Sequence, residues 1–171
     1  RMFIPAEGCV LVDADYSQIE LRLLAHISGD EAMRAAFTTG ADIHTATAAQ
    51  VFHVVPGDVT HEMRRRAKAV NFGIVYGISA FSLSQDIGVT VAEAKAYMEA
   101  YFATFPGVRR YMDDVVAKAK EQGYVETLFH RRRELPEIRS SNFNMRSFGE
   151  RVALNMPIQG TAADIMKLAM V

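Results

Sequence analysis

The chain has 171 residues, and half of them are hydrophobic, which is enough for one globular domain with a substantial core and excludes a disordered or low-complexity tail. Its 19 basic and 20 acidic side chains give a formal net charge of -1, so the overall balance is no evidence for a polyanionic partner, which would have to bind a local basic patch. A single cysteine, Cys9, excludes an intrachain disulfide and a cysteine-based zinc site, and it is expected to pack as a small hydrophobe.

The sequence contains no uninterrupted apolar run of about 18 residues and no basic segment that leads into an apolar signal core. No membrane association is therefore predicted, and an intracellular location is expected. The chain begins with Arg1 rather than methionine, and residues 165–171 stop inside an apolar helical pattern without a Gly or Pro terminator. Both ends are therefore expected to be cut from a longer protein.

Residues 8–15 form a short apolar, β-prone run that ends in carboxylates. This pattern predicts a buried strand that carries Asp15 at its tip. The pattern becomes helical from Ser17, which is the predicted N-cap, with Glu20 three residues later as its reciprocal capping partner.

Breaks and capping residues divide the chain from residue 29 to residue 123 into a series of helices. Short helices are predicted after residues 29–30 and after residues 40–42, and the second carries His44 in its first turn. A long helix is predicted from its cap Thr60 to Gly77. Three further helices are predicted from Ser79 towards Gly88, over residues 91–105, and from Pro106 to Gly123.

Beyond Gly123 the pattern changes twice. Residues 124–129 are β-prone and partly alternating, and three arginines follow them, so a hairpin is predicted there. After Ser140 the chain is helical again, and Pro157 either begins a further helix or kinks the one before it.

The long helix carries Arg64, Lys68, Phe72 and Tyr76 at intervals of four residues, and this spacing drifts only slowly round a helix. One face therefore offers two cations followed by two aromatic rings. A triphosphate attached to a sugar and a base needs these groups in this order, because cations neutralise phosphate oxygens and rings pack against sugar and base. For the spacing alone, the commoner explanation is an amphipathic helix with a basic first half and an aromatic core stripe.

A carboxylate at the end of a buried strand is a natural ligand for a hard metal ion, because the strand fixes its position and magnesium prefers oxygen donors. Asp15 fits this description. Asp13, two residues earlier, would project from the same face of the strand. Taken by itself, an Asp-x-Asp pattern is more often explained by buried or capping aspartates than by a metal site.

Two segments carry a resemblance that goes beyond spacing. Residues 15–22, Asp-Tyr-Ser-Gln-Ile-Glu-Leu-Arg, and residues 64–77 resemble two polymerase-domain motifs of the family A, DNA polymerase I-like DNA polymerases. The resemblance implies an α+β, predominantly helical fragment of a right-hand polymerase, with short palm strands and helical fingers. It places a palm segment at about residues 1–30, the fingers at about 31–122 and a return to the palm at about 123–171.

The first motif implies a metal and sugar site. By this resemblance Asp15 binds two catalytic Mg²⁺ ions, Tyr16 contributes its backbone, and Glu20 is a steric gate that excludes a ribose 2′-hydroxyl. Gln18 belongs to the same motif and is assigned to the dNTP site. His44 also matches a phosphate contact of the family, although a lone histidine in a first helical turn is more often structural.

The second motif implies a helix that closes on the incoming dNTP. By this resemblance Arg64 and Lys68 bind the triphosphate, and Lys68 is also placed to assist the leaving pyrophosphate. Phe72 packs on the sugar, and phenylalanine at this position implies discrimination against dideoxynucleotides. Tyr76 lies near the templating base, with Gly77 as a DNA contact.

Two later regions, residues 127–133 and residues 151–160, resemble palm segments that hold primer and template. Arginines bind phosphates, and Asn or Gln side chains reach hydrogen-bond acceptors that all base pairs share in the minor groove. The resemblance therefore implies five DNA-binding residues: Arg131, Arg133, Arg151, Asn155 and Gln159. Read without the family, the last two are polar positions one helical turn apart, and a surface role explains them equally well.

One departure from the family limits what this chain can do alone. The second invariant aspartate belongs to a later His-Asp-Glu motif that this sequence lacks, and two-metal transfer needs more than one anionic ligand. The thumb, the rest of the palm and any exonuclease domain are missing as well. The isolated chain is therefore expected to be inactive, and its folding to be marginal because the strand that carries Asp15 would lack neighbours.

The resulting prediction is a fragment of a DNA-directed DNA polymerase that adds dNTPs to a primer 3′-hydroxyl in DNA replication or repair. Its expected partners are primer–template DNA and dNTP, and the complete enzyme is expected to be a monomer in the bacterial cytoplasm, associated with the nucleoid, or in the host cytoplasm if a phage encodes it. Two alternatives stay open: a non-catalytic helical nucleic-acid-binding module, and an RNA polymerase of related architecture. The first predicts salt-dependent binding that does not need Asp15 or magnesium, and the Glu20 gate disfavours the second.

Overall fold

The computed structural model describes residues 3–171. Within this range the helices and strands are, in chain order, α1 (Ile19–Ser28), α2 (Glu31–Thr38), α3 (Ile43–Phe52), α4 (His61–Val75), α5 (Ala80–Ile87), α6 (Val91–Thr104), α7 (Pro106–Gln122), β1 (Tyr124–Glu126), β2 (Arg132–Glu134) and α8 (Phe143–Ala169). Short 3₁₀ turns at Pro56–Asp58 and Pro136–Arg139 precede α4 and α8. The predicted predominantly helical α+β fold is confirmed.

The main core lies where α1 packs against α4, α7 and α8, with α5 and α6 completing it. The apolar positions of α1 point into this core because they recur at helical spacing, and burial of each such side chain contributes about 1.5–3 kcal/mol. The core holds α1, which carries the first motif, beside α4, which carries the second. Its largest buried side chains include Leu21, Leu24, Met33, Ile74, Leu83, Tyr101 and Ile158.

A second, smaller core joins the hairpin to α7 and α8. β1 and β2 pair antiparallel with Val125 opposite Arg133, and Val125 is buried while Arg133 is exposed. The predicted hairpin is therefore confirmed, and its arginine strand lies at the surface. Buried side chains on α7, β1 and α8, in the second 3₁₀ turn and directly before that turn form this core: Ala119, Val125, Leu135, Ile138 and Ala153.

Helices α2 to α5 start at the predicted cap Thr60, at the predicted breaks over residues 29–30 and 40–42, and after Ser79. Asp30, Asp42, Thr60 and Ser79 are the N-caps of α2, α3, α4 and α5, and each side-chain oxygen accepts a hydrogen bond from the backbone N–H three residues later. These bonds satisfy amide groups that the first helical turn leaves free. The predicted boundaries of these helices are therefore confirmed to within one or two residues.

The predicted strand over residues 8–15 is wrong. Residues 9–16 form an exposed segment without regular structure, in which Val10, Leu11 and Val12 are 81%, 63% and 84% exposed, and Cys9 is exposed rather than packed. A strand is stabilised by hydrogen bonds to neighbouring strands, and the sheet of the described residues contains β1 and β2 alone. An apolar run without partner strands does not form a strand by itself.

The predicted capping role of Ser17 is also wrong. α1 begins at Ile19 after Gln18, whose backbone is left-handed at φ 56° and whose side chain makes no capping bond. The left-handed residue turns the chain into the helix one position later than predicted, so the Ser17 side chain does not reach the first helical amides. Glu20 is consequently free for a tertiary contact.

α8 runs without a break through Pro157, so of the two possibilities predicted there, the start of a further helix does not occur. The proline removes one backbone donor, and Pro157 is buried. The Thr161 hydroxyl donates a hydrogen bond to the Pro157 carbonyl. Although α8 has 27 residues, no helix within residues 3–171 is both long and apolar enough to cross a membrane.

Gly149→Ala is expected to destabilise the fold. Gly149 is where α8 passes against the second 3₁₀ turn, and a Cβ atom there would lie 2.7 Å from the Ile138 nitrogen. The backbone cannot yield as a flexible side chain would, so we expect a loss of about 1–3 kcal/mol in the free energy of unfolding, measured by urea denaturation. Gly57→Ala is the matched control, because a Cβ atom at Gly57 meets nothing within 4 Å. Equal stability of the two variants would contradict the close packing of α8.

Candidate nucleotide and nucleic-acid site

The four residues that are predicted to bind the nucleotide lie along α4. Arg64 and Phe72 are half-buried, Lys68 and Tyr76 are exposed, and Tyr76 is the residue that ends the helix. The Lys68 Nζ atom lies 6.0 Å from the centroid of the Phe72 ring. The face therefore runs from two cations to two aromatic rings in the predicted order.

Arg64 is paired with a carboxylate from α3. The Nε and Nη2 atoms of Arg64 lie 2.7 Å and 3.3 Å from the Oδ2 and Oδ1 atoms of Asp42. Burial disfavours the charged form of Asp42, but hydrogen bonds from Arg64 and Thr45 and the charge of Arg64 hold the pKa of that carboxyl well below its usual range. The pair is therefore fully charged at neutral pH.

His44 lies beneath this face and is 3% exposed. Its Nδ1 atom lies 3.1 Å from the Nδ2 atom of Asn71, and the Thr47 hydroxyl donates a hydrogen bond of 3.2 Å to the Oδ1 atom of the same amide. The His44 ring also contacts Phe72, with ring centroids 5.9 Å apart. Asn71, which is itself fully buried, thus ties α4 to α3 and fixes the orientation of the imidazole.

The stability of this region is expected to fall in mild acid. Burial of the ring lowers the pKa of His44; the charge of Asp42 raises it, and the charges of Arg64 and Lys68 lower it further. The His44 ring binds a proton near pH 6.5 in the unfolded chain but only at lower pH in the folded chain. The stability that comes from burying the neutral ring is therefore present above about pH 6.5, and it is lost as the pH falls through the pKa of the folded chain.

The measurement for this prediction is the unfolding temperature of the chain between about pH 5 and pH 7. His44→Gln is expected to flatten this dependence, because the amide does not titrate. His61→Gln, at the exposed first residue of α4, is the control and should keep the slope of the parent chain. A His44→Gln variant with the same slope would show that the imidazole is not the responsible group.

The two motifs meet at the end of α4. The Tyr76 hydroxyl donates a hydrogen bond of 2.8 Å to the Oε2 atom of Glu20, which lies 56 residues earlier in the chain. Burial raises the pKa of Tyr76 and the Glu20 carboxylate raises it further, while Gln159 opposes the shift. Tyr76 is therefore a protonated donor at neutral pH, and it fixes the direction of the Glu20 side chain.

An open cavity of about 740 Å³ lies between the end of α4, α5 and α8. Phe72, Tyr76, Gly77 and Arg151, all predicted site residues, line it. Gly77 has a left-handed backbone at φ 65°, and a Cβ atom there would lie 2.9 Å from Leu154 on α8. Only glycine combines this turn with this close approach.

A second cavity of about 550 Å³ lies between the hairpin and α8. It brings together four of the six residues predicted to bind DNA: Arg131, Arg133, Asn155 and Gln159. The Nη2 atom of Arg131 lies 2.8 Å from the Gly160 carbonyl and 3.0 Å from the Asp164 carboxylate. Within the described residues, the buried Oδ1 atom of Asn155 accepts no hydrogen bond.

The predicted metal ligand does not join these groups. Asp15 and Tyr16 lie on the exposed segment before α1, next to Gln18 at the helix entrance. Over residues 3–171, no three His, Cys, Asp or Glu side chains are grouped so as to hold a metal ion. The carboxylate of Asp15 suits a hard cation, but the described residues do not complete its coordination.

Sequence reasoning missed two residues of this site. Asp42 was recognised only as a helix break, and Asn71, inside the second motif, received no role. The spacing of Arg64 and Asp42, 22 residues apart, gives no local signal of a pair. A buried polar position amid the apolar residues Val70 and Ile74 could have marked Asn71, because a buried amide needs partners.

Comparison with known proteins identifies the family of this chain. The model of DNA polymerase family A matches residues 1–171. DNA polymerase I of Streptococcus pneumoniae serotype 4 is 61% identical over 173 residues, and that of Geobacillus stearothermophilus is 60% identical over 172 residues. Each alignment covers 100% of this chain and 20% of the relative, so the chain spans only that share of the curated relatives it matches.

A solved structure is also similar. It is described as the POL domain of Pol1 from M. smegmatis in complex with DNA primer-template and dNTP, and it matches with a TM-score of 0.87 and 51% sequence identity over 91% of this chain and 28% of that chain. The family model covers the whole chain, and the relatives share more than half of its residues. On this evidence the chain belongs to DNA polymerase family A.

Proposed function

We propose that this chain supplies the fingers and part of the palm of an enzyme that extends a DNA primer on a DNA template, using dNTPs. The observation that carries the proposal is the convergence at the end of α4, where Tyr76 binds Glu20 and lines a cavity together with Phe72. The related structure from M. smegmatis is described with DNA primer-template and dNTP, which supports the same substrates here.

In this proposal the face of α4 binds the incoming dNTP. Arg64 and Lys68 contact the triphosphate, because both are cations at one end of the face. Phe72 packs on the sugar, and Tyr76 lies near the templating base. Glu20, held by Tyr76, excludes a 2′-hydroxyl.

His44, Tyr16 and Gln18 belong to the same proposed dNTP site. The burial of His44 and its bond to Asn71 favour an indirect role, in which the imidazole supports Phe72 from below. Gln18 and Tyr16 precede α1 and lie next to Glu20 along the chain.

The second cavity is proposed to hold the primer–template duplex. Arg131 and Arg133 would contact phosphates, and Asn155 and Gln159 would reach minor-groove acceptors without sequence preference. Arg151 and Gly77 lie in the neighbouring cavity with the aromatic rings, where they would contact the template strand.

Asp15 would hold the catalytic Mg²⁺ ions, since magnesium prefers carboxylate oxygens. Bound magnesium would supply charge neutralisation at the reacting phosphates and acidify the primer hydroxyl. Because the described residues do not complete such a site, a further carboxylate has to come from another part of the polymerase. The chain alone is therefore proposed to be inactive.

The complete enzyme is proposed to act as a monomer in bacterial DNA replication or repair, in the cytoplasm near the nucleoid. In its polymerase domain, about residues 1–30 and 123–171 would belong to the palm and about residues 31–122 to the fingers. The hairpin and α8, which carry the proposed duplex-binding residues, lie in the second palm segment. They share the smaller core with α7.

The proposal is tested with a chimeric polymerase, in which residues 1–171 replace the corresponding 172 residues of the G. stearothermophilus DNA polymerase I, which is 60% identical. Magnesium-dependent addition of a single dNTP to a primer is the expected result. A folded chimeric polymerase that binds primer–template DNA but adds no nucleotide would favour a non-catalytic nucleic-acid-binding module instead. Addition of rNTP in preference to dNTP would favour an RNA polymerase.

Lys68→Arg tests whether Lys68 also transfers a proton to the leaving pyrophosphate. Arginine keeps the charge but does not lose a proton at accessible pH, so we expect the incorporation rate of the chimeric polymerase to fall by about tenfold to a hundredfold or more. The rate is measured in a single turnover at saturating dNTP. Arg65→Lys, at an exposed position one residue from Arg64, is the control and should keep the parent rate. A Lys68→Arg variant with full rate would leave Lys68 with charge as its only contribution.

A further inference from the structure

The nucleotide-binding face contains one carboxylate that the motifs do not assign. Asp42, the N-cap of α3, contacts Arg64 of α4 through two hydrogen bonds, from Nε at 2.7 Å and from Nη2 at 3.3 Å. The two side chains are 33% and 43% exposed, so the pair lies at the rim of the face rather than in the core.

The contact uses only one edge of the guanidinium group. Arginine has five N–H donors in a fixed planar fork, one on Nε and two on each terminal nitrogen. Asp42 accepts from Nε and from one hydrogen of Nη2. One hydrogen of Nη1 and the second hydrogen of Nη2 lie side by side along the other edge, at the end of the group, and they can bind phosphate oxygens in the same two-pronged manner. Asp42 and a triphosphate can therefore contact Arg64 at the same time.

Asp42 is itself held in place by α3. Its Oδ2 atom accepts hydrogen bonds from the Thr45 backbone nitrogen at 3.2 Å and from the Thr45 hydroxyl at 2.6 Å. α3 packs along α4 and is tied to it by the buried bond between Asn71 and His44. The carboxylate is thus a rigid support, whereas an unsupported arginine side chain would lose rotamer entropy on binding a ligand.

We propose that Asp42 is a positioning residue that holds one edge of Arg64 so that the other edge faces the phosphates of the incoming dNTP. The inference rests on the proposed function, because it assumes that Arg64 binds the triphosphate. Asp42 would strengthen dNTP binding and leave the chemical step unchanged, since it touches neither the nucleotide nor the primer.

The test uses the chimeric polymerase with bound primer–template DNA. The Kd for dNTP is measured on a primer with a dideoxy end, and the incorporation rate on an extendable primer at saturating dNTP. Asp42→Asn removes the charge but keeps the helix cap, because asparagine caps helices as well as aspartate does. We expect the Kd to rise about three- to fivefold, as suits a partly exposed ion pair, and the saturated rate to stay within about twofold.

Two control comparisons separate positioning from general damage. Glu62→Gln removes a carboxylate from α4, the helix of Arg64, where Glu62 pairs with Arg65 and Arg66, and it should leave the Kd for dNTP unchanged. In an Arg64→Ala background, Asp42→Asn should change the Kd by less than about twofold, because residues that act through one contact are not additive.

Each outcome has a distinct meaning. If Asp42 instead competes with phosphate for Arg64, Asp42→Asn will bind dNTP more tightly than the parent; that result, or an unchanged Kd, overturns the positioning role. If Arg64→Ala binds dNTP as well as the parent, the proposed triphosphate site itself fails, and the positioning role with it. Unchanged thermal unfolding of Asp42→Asn shows that the loss of affinity does not come from a damaged α3.

Discussion

Asp15→Asn in the chimeric polymerase is expected to lower the rate of single-nucleotide incorporation about a thousandfold or more, while the affinity for primer–template DNA is kept. Asparagine has nearly the same size as aspartate but carries no charge, so it binds magnesium far less well. Asp15 lies on an exposed segment, and the loss of its charge should not disturb the core. The rate is measured by rapid mixing, and DNA binding by a gel-shift titration.

Asp13→Asn is the matched control for this prediction. It removes the same charge from the same exposed segment two residues earlier, and Asp13 has no proposed role in the site. Its incorporation rate should stay close to that of the parent. An Asp15→Asn variant that keeps more than about a tenth of the parent rate would contradict the assignment of Asp15 as a metal ligand.

Glu20→Ala is expected to reduce the preference for dNTP over rNTP by about a hundredfold. The preference depends on a side chain that fills the space of a 2′-hydroxyl, and Tyr76 holds this side chain through a hydrogen bond of 2.8 Å. Alanine leaves that space open. The measurement is the ratio of kcat/KM for dNTP to kcat/KM for rNTP, on the same primer and template.

Two further variants define what the gate requires. Glu20→Gln keeps both the size of the side chain and an oxygen that accepts the Tyr76 bond, so the preference should stay nearly unchanged. Tyr76→Phe keeps the Glu20 side chain but removes the hydroxyl that holds it in place. The preference for dNTP over rNTP is therefore expected to lie between that of the parent and that of Glu20→Ala. A Glu20→Ala variant with the parent's preference would show that another group excludes the 2′-hydroxyl.

The helix boundaries could be predicted from the sequence because their signals are local. Thr60 and Ser79 accept hydrogen bonds from amides only three residues away, so a short segment contains both partners. The same holds for the left-handed glycine that ends α5, Gly88. The hairpin was also predictable, because both of its strands lie within eleven residues of chain.

The failed predictions share a physical cause. Residues 8–15 have the composition of a strand, but a strand needs hydrogen-bond partners, which are often far away in sequence, and the described residues supply none for this segment. Ser17 has the right residue type for a cap, but the left-handed backbone of Gln18 moves the helix start by one residue. In both cases the residue types suit the predicted structure, but the backbone around them does not allow it to form.

By itself, the sequence determined the family and the chemical groups of the site, because each motif is contiguous and its residue types are visible in order. The tertiary structure alone decided which of these groups meet. Tyr76 reaches Glu20 across 56 residues, and Arg64 reaches Asp42 across 22 residues. Such contacts depend on how α1, α3 and α4 pack around a shared core, and a core is formed by all of its helices together, so no short segment of the sequence contains the information for it.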